Sequence, residues 1–72
     1  MYQYRLTENR LYTEELGQYV SFGIDVANSS GQIILSVPDV SPDRQLVTDL
    51  CACCTQLQLD PIHLFDVLED TL

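Results

Sequence analysis

Residues 19–27 place Val20, Phe22, Ile24 and Val26 at every second position, with Ser21, Gly23 and Asp25 between them. Successive side chains of a strand point to opposite faces, so this spacing calls for a strand with one apolar face and one polar face. Such a strand needs paired neighbours and a cover for its apolar side. The turn formers Asn28, Ser29, Ser30 and Gly31 follow it, and residues 32–37 supply a second β-run at hairpin distance. Ile33, Leu35 and Val37 are expected on the same buried face. Upstream, Tyr2, Tyr4 and Leu6 alternate with Gln3, Arg5 and Thr7, which predicts another strand, turned at Glu8 and Asn9. Residues 10–16 read two ways: Leu11, Tyr12 and Thr13 favour a short edge strand, the preferred reading, while Glu14, Glu15 and Leu16 also suit a helical turn ending at Gly17. Gly23 leaves a gap inside the central strand and predicts a bulge or a close neighbour. Pro38 lacks an N–H and is expected to end the ladder.

The pattern then changes period. Ser41-Pro42-Asp43 reads as a helix start, with Ser41 as N-cap, Pro42 first and Asp43 in the first turn. The helix is expected over 42–57. At steps of about 100° per residue, Leu46, Val47, Leu50, Cys51, Cys53, Cys54 and Leu57 fall in an arc about 160° wide, which predicts a core-facing stripe. Asp60-Pro61 repeats the start signal for a second helix over 61–72. Leu64, Phe65, Val67, Leu68 and Leu72 share its apolar side; His63, Asp66, Glu69 and Asp70 form a polar ridge. The expected architecture is therefore α+β, a three- or four-stranded antiparallel β-meander over 1–38, covered on one face by a helical pair over 41–72. All 72 residues form a single domain in this reading.

A chain this short buries only about 60% of the surface exposed on unfolding, so a second copy or another partner could supply missing burial. Eleven acids stand against three arginines and no lysine, for a formal net charge of -8. From Gln45 onward there are five acids and no Lys or Arg. Phosphate neutralisation needs Lys and Arg, so direct nucleic-acid binding is disfavoured, and an anionic membrane surface would repel the chain. No apolar run approaches the roughly 20 residues needed to cross a bilayer. The three cysteines are clustered with no distant one to pair with, and the opening MYQYRLTENR carries no apolar signal-peptide core. Both point to a reducing, cytoplasmic setting.

The ending LDPIHLFDVLEDTL, with VSPDRQLVTDL before it and the opening YRLTE, resembles a family of small bacterial proteins classed as a domain of unknown function. The likeness rests on a Pro-x-His-Leu-x-Asp-Val-x-x-Asp-x-Leu ending, met here by Pro61, His63, Leu64, Asp66, Val67, Asp70 and Leu72. It implies the same strand-rich half and helical half, and it implies no activity.

Two clusters could carry chemistry. Cys51 and Cys54 have CxxC spacing and share a helix side, as thiol-redox and metal sites require. All three cysteines, however, lie in the apolar arc, where a thiol packs as a small hydrophobe and burial raises its pKa. His63, Asp66 and Asp70 fall within about 60° of one another on a helix and could hold a divalent cation or move a proton; as a solvated ridge they need do neither. Gly17, Gly23 and Gly31 are isolated, so no phosphate loop is formed, and one histidine offers no hydrolytic triad. Tyr2, Tyr4, Tyr12 and Tyr19 could anchor an interface or cover the sheet. The expectation is a non-enzymatic, cofactor-free protein-interaction module that binds a protein partner or self-associates as a homodimer. The alternatives are a metal- or thiol-dependent regulator using Cys51, Cys54 and His63, and an acidic nucleic-acid mimic on a basic partner.

Overall fold

The computed structural model describes residues 1–71. Three antiparallel strands form one open sheet in the order β1 (Gln3–Thr13), β2 (Gly17–Ala27) and β3 (Ile33–Ser41). Helix α1 (Arg44–Leu57) packs across all three strands. A 3-10 turn, Pro61–His63, then leads into helix α2 (Leu64–Thr71). The α+β expectation holds, with three strands among the described residues.

The alternation in β2 builds the core from Phe22 to Val26, but Val20, expected on the same face, is 42% exposed, and Ile33, expected with Leu35 and Val37, is 44% exposed because a register shift sets it opposite Ala27. Ile24 and Val26 are fully buried, and Phe22 and Tyr4 join them beneath Val47, Cys51 and Cys54 of α1 and Leu64 and Leu68 of α2. The row Tyr4, Val26 and Leu35 runs straight across the sheet.

Three boundaries differ from the expectation. First, β1 neither turns at Glu8 and Asn9 nor hands over to a separate edge strand over 10–16. Glu8 pairs with Phe22 and Asn9 with Ser21, and the ladder continues to Thr13 opposite Gly17. The turn falls at 14–16 instead, where Leu16 N–H donates to Thr13 Oγ1 at 3.1 Å and Gly17 takes the left-handed φ of 68°. Continuous pairing with the long β2 outweighs the local turn tendency of Glu8-Asn9.

Second, β3 passes through Pro38. Between the pairs Ile24 with Val37 and Phe22 with Ser41, β3 places three residues, Pro38, Asp39 and Val40, against Gly23 alone of β2. The missing N–H of Pro38 falls inside this bulge, where no ladder bond is required. The bulge lies over β2 at Gly23: a Cβ there would overlap the Val37 carbonyl and sit 2.8 Å from Pro38 Cα. Asn9 of β1 donates to the Pro38 carbonyl at 2.9 Å, so the bulged segment is held by the far strand as well. Tyr19 and Ser21 donate to the carboxylate of Asp39, which gives the fully buried Ser21 hydroxyl its partner.

Third, α1 starts later. Ser41 belongs to β3, and the N-cap is Asp43, whose Oδ1 accepts from Gln45 N–H at 3.0 Å and Leu46 N–H at 3.3 Å. Ser41 Oγ accepts from Asp43 N–H, and Pro42 lies before the cap rather than in the first turn. Asp60 caps the following turn as expected, accepting from Ile62 N–H at 3.2 Å, but that turn is 3-10 before it becomes α2.

The packed stripe of α1 is narrower than the apolar arc. Val47, Cys51 and Cys54 are buried and Leu46 and Leu50 half-buried, whereas Cys53 and Leu57 are exposed. Cys53 lies about 120° round the helix from Val47, at the limit of the arc. On α2, Leu64 and Leu68 are buried and Val67 half-buried, but Phe65 is 57% exposed. Leu72, expected on that apolar side, lies outside the described residues.

Candidate interaction surface

An open sheet has two edges, and unpaired N–H and C=O groups on an edge can template another strand. This fold treats its two edges differently. At the start of β1, the side-chain amide of Gln58 accepts from Tyr2 N–H at 2.7 Å and donates to the Tyr2 carbonyl at 2.9 Å. Thr55 Oγ1 accepts from Tyr4 N–H at 3.0 Å. The end of α1 thus stands in for a neighbouring strand. Gln58 can do this because it terminates the helix in the left-handed conformation, with φ 51°, a cap position usually given to glycine.

Because Tyr2 and Tyr4 point their backbone groups away from β2, period-two alternation fixes the remaining directions. Arg5 bonds to Asp25, Val26 and Ile24 turn towards β3, and Leu35 and Val37 turn back to meet them. Ser36, between them, therefore directs its N–H and C=O outward. Among the described residues no side chain meets these groups, and the Ser36 hydroxyl donates instead to Asp25 on the neighbouring strand.

Beside this open edge runs a shallow groove of about 290 Å³ lined by Ile34, Leu35, Pro61, Ile62 and Phe65. Ile34, Ile62 and Phe65 are 45%, 76% and 57% exposed. Large apolar side chains gathered beside an unpaired strand are the ingredients of strand-addition recognition. A second cleft, of about 520 Å³, lies between the start of β1, the Asn28-Ser29 turn and Gln58. Its lining holds no carboxylate, histidine or cysteine.

A family model described as a family of unknown function, DUF6514, matches residues 1–72. The chain belongs to that family. The DUF6514 match spans sheet and helices alike and attaches no activity to either. No curated protein and no solved structure matches the chain.

The residues singled out in the sequence divide as follows. Cys51 and Cys54 are buried beside the sheet; burial, followed by the neighbouring Cys54, pushes the Cys51 thiol up to about 11, and burial, followed by Cys53, raises Cys54. Such thiols are poor nucleophiles at neutral pH. Cys53, expected to face inward with them, is exposed. His63 Nδ1 lies 3.8 Å from Asp66 Oδ2, both side chains well exposed, and Asp70 is exposed on the same helix. Among the described residues no three His, Cys, Asp or Glu side chains are grouped to hold a metal ion. Among the described residues no helix is long and apolar enough to cross a membrane.

The tyrosines do not form one surface. Tyr4 is buried, its phenol pushed up to about 12 chiefly by burial, with smaller contributions from Cys54, Asp60 and Tyr2. Tyr2 is half-buried against the core, Tyr19 binds Asp39, and Tyr12 is 70% exposed near the tip of the β1–β2 hairpin. The groove residues Ile34 and Ile62 were not indicated by the sequence, and Phe65 was assigned to the core side. The signal lay in the unbroken run Ile33-Ile34-Leu35, which departs from alternation at an edge strand.

Proposed function

We propose that this chain is a non-enzymatic protein-interaction module that engages its partner through the open edge of β3 and the groove beside it. The observation that carries this reading is the exposure of Ile34, Ile62 and Phe65 in one groove alongside the unpaired edge at Ser36. A water-facing patch of this kind gains stability when covered, and fully desolvated aromatic and aliphatic anchors dominate binding energy at interfaces. The raised thiols of Cys51 and Cys54 support their use as packing rather than as redox or metal groups. The clustered cysteines, left without disulfide partners, support a cytoplasmic setting. The Pro61-x-His63-Leu64 ending as a signature of bacterial relatives belongs to the same proposal, as does a second copy of the chain among the eligible partners.

A photo-crosslinking residue at position 65, introduced in the native cell, tests it. Discrete adducts from position 65, absent from position 12 and lost on Ile34→Glu, are the expected result. Equal labelling at both positions, or none at either, would count against the reading.

A further inference from the structure

We infer that the occupant of the β3 edge is an extended segment of a different protein, with apolar residues at alternate positions and Lys or Arg flanking them. This rests on the interaction-module reading and names the chemistry of its partner. Three observations lead to it.

The first is backbone geometry. Ser36 presents an N–H and a C=O outward between Leu35 and Val37, both committed to β2, so an incoming strand finds a hydrogen-bonding rung already in place. On the opposite edge, one row along from the row of Ser36, Asp25 and Arg5, the outward N–H of Tyr4 is taken by Thr55. The β1 edge is closed at Tyr2 and Tyr4, whereas the β3 edge is open at Ser36.

The second is the groove. Ile34, Leu35, Pro61, Ile62 and Phe65 lie to one side of that edge, beneath where every second side chain of an added strand would fall. Alternate apolar residues in the ligand follow from this, because a strand offers one face to the groove and the other to water.

The third is charge. Asp60, Asp66, Glu69 and Asp70 are all exposed on the segment that forms the groove's helical wall, where His63 is the one basic side chain and no Lys or Arg occurs after Arg44. Of the three arginines, Arg5 lies across the sheet on β1, Arg10 lies farther along that strand and Arg44 starts α1. A second copy would bring another chain of charge -8, with the same acidic wall, against this one. A segment carrying Lys or Arg at its ends relieves the like-charge arrangement on the rim while its apolar centre covers the groove.

The test is selection on the intact chain from a displayed library of random peptides of about twelve residues. Enriched sequences are expected to alternate apolar with polar residues and to carry Lys or Arg at one or both ends. Synthetic copies should weaken as salt rises, since an exposed rim attraction is screened within about 10 Å at 0.1 M and about 3 Å at 1 M ionic strength. Ser36→Pro removes the outward donor without touching the β2 ladder, and Ile62→Asp charges the exposed floor of the groove; each should weaken binding by about tenfold or more. Circular dichroism shows that a variant is folded, and Ile62→Asp carries the comparison should Ser36→Pro not fold. No enrichment, enrichment of acidic or helix-periodic sequences, or undiminished binding to the folded variants overturns the inference. So does a homodimer in light scattering that Ile62→Asp dissolves, although that outcome leaves the interaction module standing.

Discussion

The phenol of Tyr4 donates a 2.6 Å hydrogen bond to the backbone carbonyl of Leu59, joining the first strand to the linker between the two helices across 55 positions of sequence. Tyr4 is 4% exposed, so both the ring and its hydroxyl are committed to the fold. The contact ties Leu59, between the Gln58 cap of α1 and the groove-forming turn at Pro61, to the first strand.

Tyr4→Phe should cost about 1 kcal/mol, the usual net value of one hydrogen bond plus the orphaned acceptor. It should also change the alkaline limb of stability. The Tyr4 phenol is raised from 10.0 to about 12 in the fold, so its contribution is complete below pH 10 and is lost as pH rises towards 12. Urea titrations across this range should fall less steeply for Tyr4→Phe than for the parent chain. Cys51, raised from 9.0 to about 11, acts in the same direction one unit lower, and Cys51→Ala should flatten that part of the curve.

Gly23→Ala should destabilise by about 2–3 kcal/mol or more, because the added methyl meets backbone of the β3 bulge rather than a yielding side chain. The denaturation midpoint in urea measures this. A neutral outcome would mean that the bulge does not pass over β2 at this point.

Thiol titration should separate the cysteines. Cys53 is exposed, whereas Cys51 and Cys54 are buried, so a disulfide reagent should find one fast thiol in the folded chain and all three in denaturant. Cys53→Ser should remove the fast phase alone.

Leu64→Ala and Leu57→Ala share a chemical change and should differ widely in effect. Leu64 is fully buried and its truncation should cost about 2–5 kcal/mol. Leu57 is 72% exposed, and its truncation should stay within about 0.5 kcal/mol. Comparable losses at both sites would contradict the way α1 is seated.

The fold was legible where one physical signal acted alone. Alternation from Val20 to Val26 identified the central strand, and Asp60-Pro61 identified the start of the last helical segment. It was misread where two roles competed for one residue. Ser41 suits an N-cap but is held by pairing with Phe22, which passes the cap to Asp43; Pro38 suits a strand end but is absorbed by a bulge that Gly23 admits. Helical periodicity placed Cys53 and Leu57 inward because it records angle alone, not how far the sheet extends beneath the helix. The groove was hidden for a related reason: Ile34 and Phe65 lie 31 positions apart, and only the meeting of β3 with the 3-10 turn and the start of α2 puts them together.

Gln58 and Thr55 set a limit on assembly. Head-to-tail stacking of identical chains needs a free edge on each side of the sheet, and beside Tyr2 and Tyr4 the edge of β1 is already occupied by the chain's own amide and hydroxyl. A strand arriving there must first displace the end of α1, so the start of β1 is shielded from within the molecule.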